Sequence, residues 1–117
     1  GAHVIQPVMK ISNKYAVAGM GNFLSNQPGD ERRLCSQCPK STQDGMIVWF
    51  NISDLPDGSV GVTDAGYVPT WVDRSSYEII PIGVSEPETV EAAIIKESEN
   101  RTSGVVGGDL RKLVFGN

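Results

Sequence analysis

The chain has 117 residues, 39% hydrophobic and 21% charged, with 13 glycines and 7 prolines. That is long enough to bury a core without a metal or disulfide framework, and too rich in turn formers for a helical bundle. Ten Lys and Arg against 14 Asp and Glu give a net charge of −4, which disfavours nucleic acid as a partner because a phosphate backbone is repelled.

Gly1-Ala2-His3 resembles the remainder of a cleaved tag, and Met9-Lys10 reads as a natural start. Residues 1–8 are therefore expected to be a tag or a disordered N-terminus, and residues 9–117 a single globular domain. Residues 15–20 carry the β-branched and aromatic content of a short strand. Residues 22–43 turn polar, with Pro28-Gly29, Pro39 and a Cys-x-x-Cys at Cys35 and Cys38, which is the composition of a long loop.

The clearest strand is residues 46–53, where Met46, Val48, Phe50 and Ile52 alternate with Ile47, Trp49 and Asn51. A proline and an Asp-Gly pair at residues 54–58 then predict a hairpin to a second strand at 59–63. Asp64-Ala65-Gly66 reads as another turn, and residues 67–72 as an edge strand interrupted by Pro69. Residues 77–82 complete a meander.

Ser85-Glu86-Pro87-Glu88 has the form of a capping box, so a helix is expected from there, with Val90, Ala93 and Ile94 as its apolar face. Glu97 and Arg101 stand four apart on it, and it should fade near residues 100–104. Residues 110–115 are expected to return as a final strand. The expected architecture is α+β: one antiparallel sheet of four to five strands, a meander, with one main helix packed on it.

Three chemistries compete for Cys35 and Cys38: a half zinc site, a redox dithiol whose thiolates Arg32, Arg33 and Lys40 would favour, or an inert pair. Zinc needs further ligands, for which Asp30, Glu31 or Asp44 would have to serve, or a second chain's cysteines. The leading expectation is no cofactor, with zinc the minor alternative.

Trp49, Tyr67, Trp71 and Tyr77 fall within the meander, where a shared face would offer an aromatic platform. The sole histidine is His3, so no internal imidazole can activate a nucleophile. These residues point to a noncatalytic binding domain using the meander aromatics or the loop from Arg32 to Lys40, with a protein partner or self-association. A redox or zinc protein built on Cys35 and Cys38 is the alternative, and a small-molecule binder with a pocket between sheet and helix is the third. No membrane partner is expected, since no apolar run approaches the roughly 20 residues that span a bilayer; the expected location is cytoplasmic, with reduced thiols.

Overall fold

The structure is a computed structural model that describes residues 1–27 and 37–114. In chain order its elements are β1 (Val8–Ile11), β2 (Lys14–Val17), a 3-10 turn (Lys40–Gln43), β3 (Asp44–Asp54), β4 (Val60–Asp73), β5 (Glu78–Pro81), α1 (Ala92–Val106) and β6 (Arg111–Lys112). The α+β class matches expectation, but the strands form two sheets. β1 and β2 pair as a separate antiparallel hairpin, while β3, β4 and β5 form an antiparallel path that β6 joins by pairing with β4. β6 lies parallel to β4, so the expected single meander is replaced by sheets of two and four strands.

The turn expected at Asp64-Ala65-Gly66 is absent, because β3 continues to pair through it: Asn51 faces Asp64, Phe50 faces Ala65 and Trp49 faces Gly66. What the polar triplet produces is a register shift between Asn51 and Ile52, where Thr63 is the extra residue. Pro69 does not make β4 an edge strand either. It lies between the last β6 pair at Tyr67 and the first β5 pair at Thr70, a gap in the ladder where no amide is required.

Directly opposed residues of an antiparallel pair share a face, so Asp44 with Trp71, Val48 with Tyr67, and Phe50 with Ala65 point to one side. That side is covered by α1 and the β1–β2 hairpin. Met46, Ala65 and Tyr67 pack there with Ile5, Val8, Val106 and Leu110, and Trp71 packs with Ile80, Ile82 and Ile95 in a second cluster. Ile5 and Val8 thus take the N-terminal segment into the core, and an isolated bridge from Ile5 to Met20 holds it there.

α1 starts at Ala92, seven residues after the serine expected to cap it. The Glu86 carboxylate accepts a hydrogen bond from the Gly83 amide, and Val90 N donates to Pro87 O, so the capping-box residues are spent in turns. The buried positions are consequently Ile95, Ser98, Thr102 and Val106, whereas Ala93 and Ile94 of the expected apolar face point to solvent. Two of the four inward residues carry hydroxyls: Ser98 meets a carboxylate beneath the helix, and Thr102 Oγ1 is buried with no hydrogen-bond partner among the described residues.

Candidate functional site

An open strand edge runs along the outer side of β3. At its base Met46 N donates to Met20 O, and Gly21 bridges Gly45. Beyond that, from Ile47 to Asp54, no strand of the described residues lies on this edge. The run from Met46 to Ser53 contains neither a charge nor a proline, two of the devices that protect an edge strand. Ile47 is 44% exposed and Ile52 66%, so apolar side chains flank both faces of an open hydrogen-bonding row.

The hairpin tip is closed by its own hydrogen bonds. Leu55 N donates to Ser59 O, Gly58 takes the left-handed conformation the turn requires at φ +79°, and Asp57 accepts from both the amide and the hydroxyl of Ser59. Those bonds, led by the hydroxyl's, hold the Asp57 carboxyl below its ordinary range. Beside the tip, Ile52, Leu55, Val60 and Val62 line an open cleft of about 490 Å³ with Lys14 at its rim.

On the sheet face away from the helix, the Trp49 indole lies across Gly66. A Cβ at residue 66 would come within 2.6 Å of Trp49 Nε1 and 3.0 Å of Arg111 O. The Arg111 guanidinium stacks 5.2 Å from the indole centroid and pairs with Asp64 at 2.7 Å, which lowers the Asp64 carboxyl below its usual range. Trp49 Nε1 is buried with no hydrogen-bond partner among the described residues.

The four aromatics of the expected platform do not share a surface. Tyr67 is 3% exposed and donates its hydroxyl to Ser103 of α1, and Trp71 is 8% exposed in the second cluster. Tyr77, with φ +56° at the turn before β5, reaches Asn26 Oδ1 instead. The face is broken because Tyr67 and Trp71 sit on the helix side, while Trp49 lies on the opposite one.

Arg32, Arg33 and Cys35 lie outside the described residues. Cys38 is disulfide-bonded. Among the described residues no group of three or more His, Cys, Asp or Glu gathers as a metal site. His3 is at the surface, with Nδ1 3.1 Å from Asn22 Oδ1. No helix of the described residues is long and apolar enough to cross a membrane.

Asp44, considered from the sequence as a spare zinc ligand, is fully engaged under α1. Arg101 donates Nε to Oδ2 at 2.7 Å and Nη2 to Oδ1 at 2.9 Å, and the Ser98 hydroxyl donates to Oδ1 at 2.6 Å. The hydrogen bonds to the carboxylate raise the Arg101 pKa further above its already high value. Glu97 on the surface of α1 adds a longer contact to Arg101 Nη1 and a bond to Lys40. Ser98 is wholly buried with its hydroxyl donated to a carboxylate that is itself neutralised, an arrangement that clamps helix to sheet and activates no nucleophile.

No family model, curated protein or solved structure matches this chain.

Proposed function

We propose that the chain is a small noncatalytic recognition domain that works by strand addition along the outer edge of β3, and that a second copy of itself is its simplest partner. The observation that carries this is the open edge from Ile47 to Asp54, uncharged as far as Ser53. Backbone groups of an edge strand supply most of the affinity in such pairing, and alternate side chains supply the selectivity. An antiparallel two-fold sets one edge against its own copy and closes after two chains.

Sedimentation velocity over a concentration series tests it. The weight-average mass is expected to rise toward twice the monomer, and the double variant Ile47→Lys with Ile52→Lys to stay monomeric with an unchanged melting temperature, since both side chains face water. A wild-type chain that remains monomeric throughout, with β3 amides exchanging at the same rate in dilute and concentrated samples, would remove self-pairing from consideration.

A further inference from the structure

A separate feature, independent of the β3 edge, lies where the connection between β5 and α1 folds back against the helix. A pocket of about 640 Å³ opens there, within the size range of small-molecule sites. Its floor is apolar: Ile82 and Ile95 are 2% and 7% exposed, and Val90 and Pro87 continue the wall. These residues belong to the second hydrophobic cluster or border it, so the floor is part of the folded core.

The rim has a different chemistry. Glu86, Glu88 and Glu91 surround the opening, while Glu99 and Lys96 stand on the helical side. Glu99 is already satisfied: it pairs with Lys112 and, at 2.8 Å, with Lys96, and those lysines, Lys112 foremost, depress its pKa. Glu86 accepts a hydrogen bond from the Gly83 amide. Glu88 and Glu91 have no cationic partner among the described residues. With Lys96 and Lys112 committed to Glu99, Glu86, Glu88 and Glu91 have no cationic partner among the described residues above an apolar floor.

From this complementarity we infer that the pocket binds a small organic cation with an apolar body, an aralkyl or alkyl ammonium, its hydrocarbon on Ile82, Val90 and Ile95 and its charge among Glu86, Glu88 and Glu91. Burial of the hydrocarbon drives such binding, and the carboxylates decide its sign. An anion of the same shape meets three like charges. The ligand's ammonium stays at the rim in contact with water, so it incurs little desolvation cost.

Titration of the full chain with 2-phenylethylammonium, read by amide chemical shifts, tests the inference against two controls of matched shape, 3-phenylpropionate and 2-phenylethanol. Saturable shifts confined to residues 82–99, strongest for the ammonium and weakened by salt, are expected. The double variant Glu88→Gln with Glu91→Gln should weaken binding about five- to tenfold, the worth of two partly screened ion pairs, without a change in melting temperature. Equal binding of propionate or alcohol, shifts centred elsewhere, or no saturation with the ammonium would each overturn it. A non-binding result with an intact amide spectrum counts as failure of the site, since the fold is then verified in the same sample.

Discussion

Asp44 and Arg101 show how one residue pair fixes the relation of helix to sheet. Arg101 satisfies both carboxylate oxygens, so truncating it strands a negative charge that is 3% exposed. Arg101→Ala is expected to cost about 3 kcal/mol in denaturant unfolding, near the lower end for a broken buried pair. The double replacement Asp44→Leu with Arg101→Met should recover most of that loss, because the charge and its desolvation are removed together. Spacing alone revealed the contact of Arg101 with Glu97, which is four residues away. The stronger partner lies 57 positions distant and leaves no local pattern. What the sequence does contain is a serine, Ser98, at an inward helical position, which signals a polar group under the helix without naming it.

Among the elements, β3 was readable in advance because its alternation is complete over eight residues, and its hairpin with β4 followed from the Asp-Gly turn. The length of β4 was not. Local turn chemistry at Asp64 to Gly66 is outweighed by cross-strand pairing with Asn51, Phe50 and Trp49, and Gly66 serves close approach of an indole and not chain reversal. Gly66→Ala is therefore expected to lower stability by about 1–3 kcal/mol by overpacking, with a shift in tryptophan emission as Trp49 is displaced from beneath Arg111. Adding Trp49→Leu to Gly66→Ala should restore part of the stability, since the obstruction is then gone. The start of α1 was misread for a related reason: Glu86 satisfies an amide of the preceding turn in place of one in the helix. The candidate site was legible only in part. Trp49 was singled out, but Tyr67 and Trp71 looked the same in sequence and are core residues, since alternation identifies faces and not which face is covered.

At the scale of the molecule, acid sensitivity follows from four carboxyls with lowered pKa values: Asp57 through Ser59, Asp64 through Arg111, Asp73 through Ser75, and Glu99 through Lys112. A depressed folded-state pKa gives stability that is complete above the unfolded value and is lost as pH falls through the folded one. The melting temperature should thus be level from about pH 7 to about pH 5 and fall below about pH 4. In calorimetric scans Glu99→Gln should lower the plateau and flatten the acid limb.

The radius of gyration, 15.9 Å, exceeds the roughly 13 Å usual for a compact chain of this length, and the longest dimension is 57 Å, in keeping with a β3–β4 hairpin whose residues 51–54 are exposed. The irregularity at Asn51 and Ile52 then has a further effect. The extra residue, Thr63, lies in β4 and increases the local twist of the ladder, so a strand added along β3 would meet its strongest twist between Asn51 and Ile52. Under the proposed strand addition, that twist limits how far a second edge can follow β3, a geometry suited to a closed pair and opposed to a fibril.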